Sequence, residues 1–368
     1  MRSSDATTAV PVPPEEALLD PSREAAAAGE LPDLAPSVRP GSPRRGRLRV
    51  LAVAALATLA AGRASAQAAA PGFALDRFVP APAGAGWFAN DDLAMAGSLG
   101  GAAELTLSQA HDPLVVGHGA GRLPVVSDEA LAHLGASVNG PWWRLFLDLP
   151  MPLAVVGRSG VRDGYAYTAP AVNVGTNPDS LPDVSVGVEA RLLGEADSGL
   201  RLGLGAQLFV PSNGPLDTPS TYLTDGTVRG IVRLLAAGDA GRLRWAGQAG
   251  VHVRPLDDAP IPGSPEGSEL LFAGAAGWSF DVRPGWALVA GPEAFGETAL
   301  RSFFGGETTG AEALLTGRLE GTGPGARLRV KLGAGGGLDP AFGAPEWRVV
   351  VAVELFSRPS GTAGAGPR

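Results

Sequence analysis

The chain has 368 residues with no cysteine, four histidines, 53 glycines and 33 prolines, and its 29 Lys+Arg against 37 Asp+Glu give a net charge of −8. Without cysteine there is no disulfide framework, thiolate metal site or cysteine nucleophile. The scattered His111, His118, His133 and His252 lack the close spacing of paired zinc ligands, and the acidic balance does not suit a nucleic-acid binder.

Residues 1–43 are rich in Ala, Pro, Glu and Ser and show no apolar periodicity, so they are expected to be a disordered extension. Residues 44–66 read as an export signal. Arg44, Arg45, Arg47 and Arg49 precede an apolar run from Val50 to Ala61, and Ala64-Ser65-Ala66 forms a small-x-small cleavage site before Gln67. The run is too short to span a bilayer, which takes roughly 20 residues. Because such signals begin close to the initiator, translation is expected to start nearer Val38. Removing residues 1–66 takes 8 of the 29 Lys+Arg and 7 of the 37 Asp+Glu, leaving 21 against 30, a net charge of −9. Residues 67–92 are assigned to a periplasmic N-terminal segment or lumen plug.

From residue 93 to 356 the pattern has period two. In "GLRLGLGAQLFV" the set Leu200, Leu202, Leu204, Ala206, Leu208 and Val210 faces one way, with Arg201, Gln207 and glycines between. Twelve such segments are predicted, over 94–109, 131–139, 142–150, 184–193, 200–210, 225–236, 242–253, 269–281, 286–297, 311–320, 326–335 and 346–356. Most approach the nine to eleven residues of a tilted transmembrane strand. The connections alternate. "NGPW", "GEADSG", "AAGDAG", "VRPGW" and "EGTGPG" are tight turns, whereas 110–130, 151–183, 211–224, 254–268, 298–310 and 336–345 are long. Trp143, Trp245, Trp278, Phe280, Trp286 and Phe356 are placed on the apolar face near the short-turn ends, where an interfacial girdle belongs. Residues 357–368 form a flexible tail.

A soluble sandwich also alternates, but its strands are shorter and its outward faces richer in Lys, Glu and Thr. Here the polar face carries Gly, Ala and Arg, and the apolar face carries no charge. A β-structure crossing a bilayer must close on itself. The expected fold is therefore all-β, a single closed antiparallel transmembrane barrel of about twelve strands, with short periplasmic turns and long extracellular loops. Twelve inward cations face eight inward anions. Either this wall favours anionic solutes, with small inward residues leaving a narrow water-filled lumen, or the charges pair and close the lumen.

The chain resembles Gram-negative outer-membrane β-barrel proteins. More narrowly, "GFALDRFVPAPAGAGWFANDD", "QAHDPLVV", "PSNGP" and "TDGTVRGIVRL" are similar to the N-terminal barrel region of myxobacterial OmpA-family proteins. That resemblance would imply a following calcium-binding linker and peptidoglycan-binding domain. Only "SRPSGTAGAGPR" follows Phe356 in this sequence, so peptidoglycan contact is not supported.

Catalytic patterns are weak. None of the histidines is followed at two residues by serine, His111-Asp112 reads as a turn before Pro113, and Gly333 to Gly337 lacks the Lys-Ser/Thr of a phosphate loop. No enzyme activity, cofactor or metal is expected. The leading expectation is a passive pore for small anionic solutes in the cell outer membrane, with Arg242, Arg244, Arg327, Arg329, Lys331, Arg348 and Glu354 lining the lumen. The alternative is a non-conducting structural or surface-interaction barrel whose loop residues Tyr165 and Tyr167 contact a partner. Expected partners are outer-membrane lipid and the barrel-assembly machinery, which would recognise the terminal strand ending at Phe356.

Overall fold

The protein is described here by a computed structural model, which covers residues 73–95, 99–117, 121–162, 165–174, 181–212, 221–255, 267–306, 308–322, 327–340 and 343–357. The expected extension over 1–43, the expected export signal over 44–66 and all but Ser357 of the expected tail over 357–368 lie outside these residues.

All twelve predicted strands form: β1 (Gly100–Val116), β2 (Leu123–Asn139), β3 (Trp143–Val156), β6 (Val184–Leu193), β7 (Arg201–Val210), β8 (Arg229–Ala240), β9 (Leu243–Val253), β10 (Glu269–Arg283), β11 (Trp286–Ala299), β12 (Thr309–Gly321), β13 (Leu328–Pro340) and β14 (Trp347–Phe356). Each pairs antiparallel with its neighbour in sequence, and β1 pairs with β14 from Ala102↔Phe356 to His111↔Trp347, closing the barrel. Two short strands, β4 (Gly160–Arg162) and β5 (Tyr165–Tyr167), form a separate hairpin in the longest loop.

Burial is inverted relative to a water-soluble protein. Along β14, Val349, Val351, Val353 and Leu355 are exposed, while Arg348, Val350, Ala352 and Glu354 are buried. On β8, Val232 and Leu234 point out and Ile231, Arg233 and Leu235 point in. Side chains of opposite parity face opposite sides of a sheet, so the barrel wears an apolar belt around a charged interior.

Strand ends depart from expectation where polar residues interrupt the apolar period. β2 begins at Leu123 rather than 131, because Ser127, Asp128 and Glu129 hide its first half in the sequence; Asp128 and Glu129 pair with His111 and Ala110 of β1. The first connection is therefore only 117–122, not 110–130. Ala94 and Met95 belong to the segment before β1, not to the strand. Phe356 shares the parity of Glu354 and faces inward beneath the Arg329 guanidinium, 4.8 Å from its ring centroid, which corrects its place in the girdle. Trp278 and Phe280 are exposed on the outer face as expected.

Candidate functional site: the occupied lumen

The interior is taken up by the segment Phe73–Met95, which runs along the barrel wall without regular secondary structure. Its Phe73, Leu75, Phe78, Trp87, Phe88, Leu93 and Met95 are all buried. The small inward residues that suggested a water-filled lumen make room for these rings. A Cβ on Gly277 would lie 2.7 Å from Trp87, one on Gly333 2.9 Å from Phe88, and one on Gly203 3.0 Å from Leu93. The segment turns at Gly84, whose φ of +98° suits glycine. A Cβ on Gly86 would run into the Arg318 guanidinium and the Asp92 carboxylate.

A chain without a helix or ladder must satisfy its backbone elsewhere, and the wall charges do this. Glu293 of β11 accepts N–H bonds from Phe88 (3.1 Å), Ala89 (2.7 Å) and Asn90 (3.1 Å) and one from the Asn90 amide. Arg191 donates to the carbonyls of Leu93 (2.8 Å) and Met95 (3.0 Å), and Arg201 to that of Asp92 (2.9 Å). Ser137 donates to Ala83 O at 2.6 Å and Gln248 to Ala89 O at 2.9 Å. Asp91 is ion-paired with Arg144, which also meets Glu189 at 3.2 Å.

The predicted lumen residues divide into two groups. Arg329, Lys331, Arg348 and Glu354 are inside and paired. Arg329 bonds Glu320 (2.9 Å), Glu354 (2.8 Å) and Ala85 O (3.0 Å). Lys331 bonds Glu104 at 2.9 Å and lies 3.8 Å from Glu354. Arg348 bridges Asp76 (2.7 Å) and Glu312 (2.8 Å). Arg242 and Arg327, by contrast, lie exposed at the strand ends, their carbonyls accepting from Ser279 N (2.8 Å) and Phe356 N (3.0 Å) while their side chains reach solvent, and Arg244 pairs with Asp239 at the rim at 3.1 Å. Tyr167 packs at the edge of the cluster of Phe73, Leu75 and Tyr222; Tyr165 lies in the same hairpin.

Sequence reasoning missed the other half of the network, because the partners come from the segment and from loops. At the long-loop end Asp225 accepts from Ala74 N at 2.7 Å and pairs with Arg254 at 2.5 Å. Burial alone would raise its carboxyl, but Arg254 and Arg229 hold it well below the usual carboxylate range. Arg77 meets Glu269 at 3.0 Å and Glu297 at 3.6 Å.

Glu269 and Glu297 form with His252 a group whose ligand atoms all lie within 4.8 Å of one another. The arrangement suits a guanidinium better than a metal. Arg229, a donor only, faces His252 Nε2 at 3.3 Å, which assigns the ring proton to Nδ1, where it is donated to Glu297 at 3.1 Å. Neither ring nitrogen then offers a free lone pair. Cavities beside the segment include one of about 50 Å³ and two of about 10 Å³, counted as room for water centres.

No family model matches the chain, and no curated protein matches it; neither comparison bears on the resemblance to OmpA-family barrel regions. Solved structures do align. An outer-membrane channel from Pseudomonas putida F1 is 14% identical with a TM-score of 0.40, covering 71% of this chain and 96% of its own. The NanC porin is 9% identical with a TM-score of 0.40, over 69% and 99%. LpxR from Salmonella typhimurium is 14% identical with a TM-score of 0.34, over 69% and 100%. At such distances the barrel rests on the strand pairing of the chain itself.

Proposed function

We propose that this chain is an outer-membrane barrel whose lumen is held shut by its own N-terminal segment. The observation that carries this reading is the run Phe73–Met95 inside the barrel, its rings seated against wall glycines and its backbone bonded by wall charges. The apolar belt supports a lipid environment, since a bilayer has no use for an outward charge and water no use for so many exposed Leu and Val side chains. Export with cleavage near Ala66-Gln67, assembly through the terminal strand, and loop contacts by Tyr165 and Tyr167 belong to the same proposal.

A second reading, conduction of small anionic solutes, applies to a barrel from which the segment has withdrawn. Arg191 and Arg201 bond segment carbonyls, and Arg144 and Arg348 bond its carboxylates. Withdrawal removes these segment partners, leaving Arg191 facing the lumen while Arg144 keeps Glu189, Arg201 keeps Asp239 and Arg348 keeps Glu312.

The chain has no cysteine, so one engineered pair tests the closed barrel and a deletion tests conduction. The Ala83 Cβ lies 3.6 Å from a Cβ built at Gly135, within the range of about 3.5–4.5 Å for a disulfide. In planar bilayers the wild type and oxidised Ala83→Cys/Gly135→Cys are expected to be silent, and a chain lacking residues 73–95 to conduct with anion preference. Steady conductance by the oxidised pair refutes the closed barrel; a silent deletion that still folds refutes the second reading.

A further inference from the structure

The 50 Å³ cavity lies under the long loops, between the segment and β2, and its lining includes Asp76, Glu129, Leu131, Phe78 and Tyr222. Glu129 is 3% exposed, and neither of its carboxylate oxygens has a hydrogen-bond partner. A buried carboxylate is tolerated when it is paired or binds an ion. The charges acting on Glu129 are Asp76, Glu312 and Arg348. Arg348 is already committed, with Nη2 on Asp76 at 2.7 Å, Nε on Glu312 at 2.8 Å and Nη1 on Ser108 at 2.8 Å. Arg229, which also lines the cavity, is held by Asp183 at 3.0 Å, so three carboxylates share the Arg348 guanidinium and, when all are ionised, carry an excess of two negative charges beside the cavity.

We propose that this cavity is a cation site for a hard divalent ion of the calcium class, held by Glu129 of the wall and Asp76 of the segment. The charge of the ion matches the excess. The donors are carboxylate oxygens, which suit calcium, and calcium accepts irregular coordination completed by water, where magnesium demands a near-ideal octahedron. At about 10–15 Å³ per water centre, the cavity has room for roughly three to five waters. Bound there, the ion ties the segment to β2 at a point where no direct bond joins Asp76 and Glu129. This holds whether or not the barrel conducts.

The test uses the full chain folded in detergent, stripped with EDTA and returned to calcium, with Glu129→Gln as the variant. Calcium should raise the wild-type midpoint and leave the variant unmoved. Terbium, excited through Tyr222 in the cavity lining, should give one saturable, calcium-displaceable site per chain, weakened about tenfold or more by the substitution. A wild-type midpoint indifferent to calcium, or equal terbium emission from the variant, overturns the proposal. If Glu129→Gln does not fold, Asp76→Asn carries the same terbium comparison.

Discussion

Arg348 of the last strand and Asp76 of the N-terminal segment meet inside the barrel at 2.7 Å, although 272 positions separate them in the chain. The contact ties the start of the described chain to its last strand, and the same guanidinium holds Glu312. Replacing Arg348 by Met leaves two carboxylates buried without their cation. Breaking a buried pair on one side costs about 3–5 kcal/mol, so Arg348→Met is expected to lower the urea midpoint steeply, and Arg348→Met/Glu312→Gln to recover part of the loss. An unchanged midpoint for the single variant would show that the pair is not formed.

Glu293 should act as a clamp on the segment backbone. Hydrogen bonds to a charged group are worth about 1.5–3 kcal/mol each, and Glu293 accepts three from consecutive N–H groups. Glu293→Ala is expected to leave the strands paired but to expose residues near Ala89 to added protease, read by mass spectrometry of the fragments.

The glycines under the rings predict a different failure. Gly277→Leu and Gly333→Leu fill the space that Trp87 and Phe88 occupy, and overpacking typically costs about 1–3 kcal/mol. Because the wall is held by its ladder and the segment is not, the segment should yield. Bursts of conductance are expected in these variants, abolished when the Ala83→Cys/Gly135→Cys disulfide is added.

Acid should spare the Asp225 latch until late. Folding favours the ionised carboxylate, since Arg254 and Arg229 outweigh the cost of its burial. The stability this contributes is whole above the unfolded value of about 3.9 and is lost as pH falls toward the depressed folded value. The gap in thermal midpoint between wild type and Asp225→Asn is therefore expected to stay constant from neutral pH to about 5 and to narrow below about 4. A gap that widened in acid would carry the opposite sign.

The strands were legible in the sequence because alternation is a local property. Leu204, Leu208 and Val351 announce an outward face without reference to any other part of the chain, and so do the tight turns between hairpins. Charge parity assigned Arg329, Lys331, Arg348 and Glu354 to the inner wall, and all four are buried in the structure. It failed for Arg242 and Arg327, whose place at the strand ends leaves their side chains in solvent, and for Phe356, whose aromatic character suggested a girdle while its position in the strand turned it inward. Residues 73–95 have neither period, so nothing in them shows where their backbone bonds are made. Alternating sequence determined a barrel with a charged interior. Only the tertiary structure decided that Trp87 and Phe88 fill the space above Gly277 and Gly333, and that Asp76 and Asp91 take up wall arginines, because a buried charge finds its partner by proximity in space and not by spacing along the chain.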